Sequence, residues 1–165
     1  MPPTVYVETS IVSYLRQRPN THVVMAARQL LTHQWWFQER GKYDLVTSQF
    51  VLEEASDGDA LLATERLQWL KDIPLLPLDP AIGTISREIM TRAILPQKAV
   101  VDSLHIAIAA YHQIQFLLTW NCKHIANARI LPRIHGVLHD LGMFIPIICT
   151  PEEMVDDDPD DNEKS

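Results

Sequence analysis

The stretch VVDSLHIAIAAYHQIQFLLTW, residues 100–120, joins an apolar helix pattern to an apolar strand pattern. From Val100 to Tyr111 the residues are apolar nearly all round a helix, which predicts a central, buried helix. The run FLLT at 116–119 is short and apolar, which is typical of a strand buried on both faces. A buried helix that leads into such a strand indicates an α/β fold.

Strand and helix patterns alternate along the rest of the chain as well. Strands are predicted at 4–7, 44–47, 116–119 and 145–150, and a short extended piece at 74–78. Helices are predicted at about 9–15, 22–40, 49–57, 59–71, 80–93, 96–111 and from about 121 onward. This alternation predicts a mostly parallel sheet that is covered by helices on both faces. In such sheets, sites form beyond the carboxyl ends of the strands.

The composition is that of a globular domain with an acidic end. Of the 165 residues, 47% are hydrophobic and 21% are charged, which excludes a fibrous or wholly disordered chain. The net charge of −7 falls largely on residues 156–165, which hold five Asp, one Glu and one Lys. We predict one domain at 1–155 and a disordered acidic tail at 156–165. The tail is either simply solvated, or it is a regulatory or RNA-mimicking segment.

The sequence favours a cytosolic protein. No apolar run reaches the ~18 residues that span a bilayer, and the opening MPPTVYVETS lacks the basic and apolar regions of a secretory signal. Cys122 and Cys149 are the two cysteines, and their spacing is not that of a metal site. We expect reduced thiols, with one long-range disulfide as the alternative.

Four polar residues occupy positions where the predicted fold brings segments together. Glu8 and Asn121 lie at or just beyond the carboxyl ends of predicted strands. Glu54 shares the apolar face of its helix, and Asp102 lies in the first two turns of the central helix. Each has a structural alternative: a helix-terminus contact for Glu8 and Asp102, rim exposure for Glu54, or a helix cap for Asn121. His105, one turn beyond Asp102, is interpreted as a hydrogen-bonded core residue.

Three carboxylates at one edge of a sheet would repel one another and raise each other's pKa values. A divalent cation relieves this repulsion, and oxygen ligands without a Cys or His cluster favour Mg²⁺ or Mn²⁺ over zinc. Such an ion lowers the pKa of a bound water and neutralises charge on a phosphate. The pattern therefore predicts hydrolysis of a phosphodiester.

Three stretches resemble the motifs of the PIN-domain family, in the branch of VapC-type toxins of toxin–antitoxin pairs. They are VYVETSIVSYL near the N-terminus, LVTSQFVLEEASDGD in the middle and VVDSLHIAIAAYHQIQFLLTWNCKHIAN toward the end. The resemblance implies a three-layer α/β/α sandwich and a metal-dependent ribonuclease. It places the first three acids of the family at Glu8, Glu54 and Asp102, and the fourth position at Asn121.

Two of these positions depart from the family pattern. The first acid is Glu where the family usually has Asp, and Asn121 carries no charge. Weaker metal binding is expected, and the alternative is a catalytically weak PIN fold that binds RNA or a protein. A nucleotide-binding or hydrolase enzyme of another kind is disfavoured, because the chain has no G-x-G-x-x-G, P-loop or G-x-S-x-G motif.

The expected enzyme is an Mg²⁺- or Mn²⁺-dependent endoribonuclease. Glu8, Glu54 and Asp102 hold the metal, Asn121 assists directly or through water, and Asp102 also takes a proton from the attacking water.

The surroundings of the expected site have supporting roles. Ser10 and Thr119 orient the carboxylates by hydrogen bonds. Four basic residues near the site are expected to grip RNA, with ordinary surface charge as the alternative: Arg16, Arg18, Lys98 and Lys123.

The aromatic run Trp35-Trp36-Phe37 covers most of the circumference of a helix, so at least one ring should point away from the core. The run either packs at the edge of the core or contributes to a homodimer or antitoxin surface.

Overall fold

The computed structural model describes residues 1–15 and 18–155 and contains a four-stranded, fully parallel sheet. The strands are β1 (Thr4–Val7), β2 (Asp44–Val46), β3 (Phe116–Leu118) and β4 (Ile147–Cys149), in the spatial order β2-β1-β3-β4. In the register, Val5 of the central strand β1 lies opposite Leu45 and Phe116. The predicted tail at 156–165 lies outside the described residues.

Helices cover both faces of this sheet. They are α1 (Thr9–Tyr14), α2 (Val23–Gln34), α3 (Gln49–Ala55), α4 (Ala60–Leu70), α5 (Pro80–Arg92), α6 (Val100–Tyr111) and α7 (Leu131–Asp140). One group of helices packs around α1, with α2, α3 and α4, and a second group packs around α5, with α6 and α7. The predicted α/β/α sandwich is confirmed.

The core lies between the central strands and α6. Val5, Tyr6 and Val7 of β1 are fully buried, as are Leu117 and Leu118 of β3. On α6, every residue from His105 to Ala110 is inaccessible to solvent. Each large apolar side chain buried in this way contributes about 1.5–3 kcal/mol, so the burial of these strands and of α6 is a large part of the stability.

The extended piece predicted at 74–78 joins the sheet at one residue, because Leu75 forms a bridge to Thr47. Pro74 and Pro77 lack the N–H donors that a longer ladder requires.

The helix predicted from about residue 121 is wrong, because turns occupy 122–125 and 128–130 and α7 begins at Leu131. The Asn127 side chain accepts from the N–H of Arg129 and donates to the carbonyl of Lys123. Local bonds of this kind compete with a helix for the backbone groups.

The aromatic run at 35–37 behaves as the sequence predicts. The long helix predicted at 22–40 ends as α2 at Gln34 and continues as a π-helical turn, Trp35–Glu39. Trp35 and Trp36 are buried, whereas the Phe37 side chain is 64% exposed and contacts the ring of Trp69 edge-on. One ring of the three therefore points away from the core.

Both cysteines are free thiols, so the disulfide alternative is wrong. Cys122 is exposed, whereas Cys149 is buried in β4, and burial raises the pKa of its thiol to about 12. Among the described residues, no helix is both long and apolar enough to cross a bilayer.

Ile94 carries strain that glycine would relieve. After α5, the N–H of Leu95 bonds to the carbonyl of Met90, which is the pattern of a Schellman helix end. Ile94 occupies the left-handed position of this motif, with φ of +57°, and its side chain is 73% exposed. A β-branched side chain is disfavoured there by about 1–2 kcal/mol.

Ile94→Gly should raise the free energy of unfolding by about 1 kcal/mol, because the relieved strain exceeds the added chain entropy of glycine. Urea unfolding measures this change. Ile94→Ala is the control, since it removes the same exposed surface but retains the Cβ atom. A glycine variant no more stable than the alanine variant would show that Ile94 is unstrained.

Candidate active site

Glu8, the residue after β1, carries a buried carboxylate whose hydrogen bonds all fall on one oxygen. The residue is 4% exposed. Oε2 accepts from the Ser10 N–H over 3.0 Å, from the Ser10 hydroxyl and from the Thr119 hydroxyl over 2.8 Å. The described residues direct no hydrogen bond at Oε1. Burial raises the pKa of Glu8, and the donors and nearby His105 offset this only in part.

Glu54 is held from α3 by two donors. Its Oε1 accepts from the Thr9 hydroxyl over 2.8 Å and from Nε2 of His105 over 2.6 Å. Burial raises the pKa of Glu54, but contact with His105 and Thr9 outweighs burial, so this pKa lies below its usual range. Glu54 is therefore an ionised carboxylate with a fixed orientation.

A buried hydrogen-bond chain fixes His105. Its Nδ1 lies 2.6 Å from the hydroxyl of Tyr6, which lies 2.6 Å from the hydroxyl of Ser48. An ionised carboxylate only accepts, so Nε2–H donates to Glu54. Burial raises the pKa of Tyr6, so Tyr6 keeps its proton and its hydroxyl is hydrogen-bonded to both Nδ1 and the Ser48 hydroxyl. The chain therefore runs from Ser48 through Tyr6 and His105 to Glu54.

Asp102 enters from the first turn of α6 and is held by two side chains. Oδ1 accepts from the amide nitrogen of Asn121 over 3.0 Å, and Nδ1 of His124 lies 3.1 Å from Oδ2. Burial raises the pKa of Asp102, against the opposing effects of His105, His124 and Asn121. Asp102 is thus a partly buried carboxylate with a raised affinity for protons.

Asn121 faces Asp102 with its nitrogen rather than its oxygen. The amide oxygen accepts from the N–H groups of Lys123 and His124 and so closes the turn after β3. The N–H of Asn121 donates to the Thr119 hydroxyl, which also bonds Glu8. Asn121 therefore links the Asp102 side of the site to the Glu8 side.

A group of potential ligand atoms lies at the centre of this network. Oxygens of Glu8 and Glu54 and a nitrogen of His105 all lie within 4.8 Å of one another. Asp102 is not a member of this close group but is joined to it through Asn121 and Thr119. The buried acidic cluster could bind a divalent metal, since its carboxylates have no cationic partner from Lys or Arg among the described residues.

The family model for the PIN domain matches residues 5–126. The chain belongs to the PIN domain family. The matched segment of this PIN domain includes all four predicted site positions, Glu8, Glu54, Asp102 and Asn121. PIN domains are generally nucleases.

A solved structure shares the fold of this PIN domain. It is the crystal structure of VapBC2 from Rickettsia felis bound to a DNA fragment from their promoter, and one of its chains aligns with a TM-score of 0.54 and 12% identity. The alignment covers 89% of this chain and 98% of that chain. A search of curated proteins found no match to the chain.

The described basic residues that are predicted to bind RNA form no ion pair with the candidate carboxylates. Arg18, Lys98 and Lys123 are exposed, and within the part of the chain that the structure describes none of their side chains pairs with the acidic cluster. Lys98 precedes α6, and Lys123 lies in the turn after Asn121. Arg16 lies outside the described residues.

Sequence reasoning left the partners of the carboxylates unidentified. His105 is the buried, hydrogen-bonded residue that the sequence predicts, but its partner is Glu54. The three-residue spacing from Asp102 to His105 was an available signal, because it places both on one helix face. Nothing in the local sequence identifies His124 or Tyr6, whose contacts depend on distant segments.

Tyr6→Phe should destabilise the protein by about 1–3 kcal/mol, because it leaves the buried Nδ1 of His105 and the Ser48 hydroxyl without their shared partner. Urea unfolding measures the change. Tyr14→Phe is the matched control, since it removes a hydroxyl that contacts Met25 and Arg28 near the surface. Equal small effects of the two changes would contradict a buried relay through Tyr6.

Proposed function

We propose that this PIN domain is a metal-dependent endoribonuclease and the toxin of a type II toxin–antitoxin pair. The observation that carries the proposal is the buried Glu8 carboxylate beside the oriented Glu54, with donors on only one oxygen of Glu8. Membership of the PIN family supports nuclease chemistry. The choice of RNA rests on the resemblance to VapC-type toxins.

The residues present fit a divalent cation. Burial makes an ionised Glu8 costly unless a positive charge lies nearby. Both nitrogens of His105 are engaged by Tyr6 and Glu54, so the donors left for an ion are carboxylate oxygens, which favour Mg²⁺ or Mn²⁺. Glu8, Glu54 and Asp102 would hold the ion, and Asn121 would support it by orienting Asp102.

The chain's own residues divide the work of hydrolysis. A bound ion lowers the pKa of water and stabilises charge on the phosphate. Glu54, whose pKa is lowered, stays ionised for binding, whereas Asp102, whose pKa is raised, is the better acceptor for the proton of the attacking water. Ser10 and Thr119 keep the Glu8 carboxylate in one orientation.

An exposed apolar stripe supports a protein partner. Val23, Leu30 and Phe37 follow one another at seven-residue intervals along α2 and its π-helical turn, and they are 82%, 72% and 64% exposed. Seven residues are about two helical turns, so the three side chains share one face. We propose that this face binds a cognate antitoxin or a second copy of the chain, because exposed apolar patches mark interfaces. The VapBC2 structure, in which promoter DNA is bound, motivates the antitoxin.

Asp102→Asn should lower the rate of RNA cleavage at least about 100-fold, because it removes both a metal ligand and the proton acceptor. A fluorogenic RNA assay with Mg²⁺ or Mn²⁺ measures the rate, and circular dichroism checks the fold. Asp140→Asn is the control, since Asp140 is exposed and pairs with Arg92.

Two outcomes would refute the nuclease proposal: undiminished cleavage by Asp102→Asn, or cleavage in excess EDTA. RNA binding without detectable Mn²⁺ binding at millimolar concentration would favour the catalytically weak binding module instead.

A further inference from the structure

The segment 121–139 differs in charge from the rest of this acidic chain. It holds Lys123, Arg129 and Arg133 and three histidines, and it contains no Asp or Glu. Most of this segment lies after residue 126, which is the last residue that the family model matches. Its positive charge is therefore a feature of this chain that family membership leaves unexplained.

Two arginines of this segment line an open pocket. The pocket has a volume of about 510 Å³, and its walls are Asn127, Arg129, Ile130 and Arg133. Both arginines are exposed, and neither guanidinium has a hydrogen bond or ion pair with the residues that the structure describes.

Other arginines of the domain have partners. Arg92 pairs with Asp140, and Arg66 donates to the carbonyls of Ala55 and Asp57. Arg28 lies over the ring of Trp120, 5.2 Å from its centroid. The pocket thus combines two free positive charges with a concave surface.

The pocket is tied to the acidic site by a short, ordered stretch of chain. Asn127 bonds to the carbonyl of Lys123 over 3.0 Å and to the N–H of Arg129 over 2.9 Å, which holds both sides of the loop. His124, in the same loop, contacts Asp102. Arg129 lies five positions after His124 in the chain, so their Cα atoms lie at most about 18 Å apart. A strand of RNA that passes Asp102 can reach the pocket within a few nucleotides.

We propose that Arg129 and Arg133 bind a backbone phosphate of the RNA substrate, one that flanks the phosphodiester cleaved near Asp102. The inference rests on the proposed function. Guanidinium groups match phosphate oxygens with paired N–H donors, and the Asn127 amide adds a polar wall. A phosphate contact of this kind positions the strand and is indifferent to its sequence. An acidic protein segment could also pair with the two arginines. The short stretch of chain between the pocket and the Asp102 contact favours the RNA strand.

The test compares Arg129→Gln/Arg133→Gln with Lys71→Gln/Arg87→Gln, which removes the same charge from exposed residues at the end of α4 and on α5. Fluorescence anisotropy with a labelled, unstructured RNA in EDTA measures binding without cleavage. The pocket variant should bind about tenfold more weakly or worse than the control. The slope of log affinity against log salt concentration should be less steep by about 0.7 for each RNA phosphate that the variant no longer neutralises. In the cleavage assay, KM should rise while kcat stays within about threefold.

Arg129→Lys/Arg133→Lys should retain most of the salt dependence, because it preserves both charges. Equal affinity and salt dependence in the pocket and control variants would overturn the inference. Normal RNA binding with loss of an acidic protein partner would overturn it too. Parent protein that binds RNA through these arginines without cleaving it would support the pocket and refute the nuclease proposal. Unsubstituted protein that neither binds RNA in EDTA nor cleaves it with Mg²⁺ or Mn²⁺ would overturn both proposals.

Discussion

The Glu8 carboxylate sits at the end of a central parallel strand, where the surrounding structure excludes water. A charge in such a place is stable only when donors or a cation compensate it. Ser10, at the start of α1, and Thr119, at the end of β3, bring three donors to one oxygen. The order of the strands makes this possible, because β3 lies directly beside β1 and their carboxyl ends coincide. The sheet and the site thus depend on the same pairing.

Each of the other two acids is oriented by a histidine. His105 holds Glu54 from the buried side, and His124 holds Asp102 from the loop after β3. The two environments shift the pKa values of Glu54 and Asp102 in opposite directions, which suits one carboxylate to binding and the other to proton transfer. Asn121, which lacks the charge of an acid, acts on Asp102 through its amide nitrogen. Asn121 therefore links to Asp102 without adding a charge to the site.

The net charge of −7 does not describe the surface that a substrate would meet. Much of it belongs to residues 156–165, and the three candidate ligands account for a further part. Beside them lies a segment without acids whose arginines at 129 and 133 are unpaired within the described chain. Under the proposed function, negative charge at the candidate metal site and positive charge beside it would suit a phosphodiester strand once a cation is bound.

The sequence by itself determined the layered fold and the four candidate site positions. Period and composition identify buried helices and strands, and parallel strands necessarily bring their carboxyl ends to one edge, where Glu8 and Asn121 lie. Only the tertiary structure decided what those side chains contact. The bond from His105 to Glu54 joins residues 51 positions apart, and that from Tyr6 to His105 joins residues 99 apart. The turns at 122–125 and 128–130 likewise arise from specific side-chain bonds that compete with a helix. Local periodicity reports which face is buried, whereas hydrogen-bond partners depend on which segments the fold brings together.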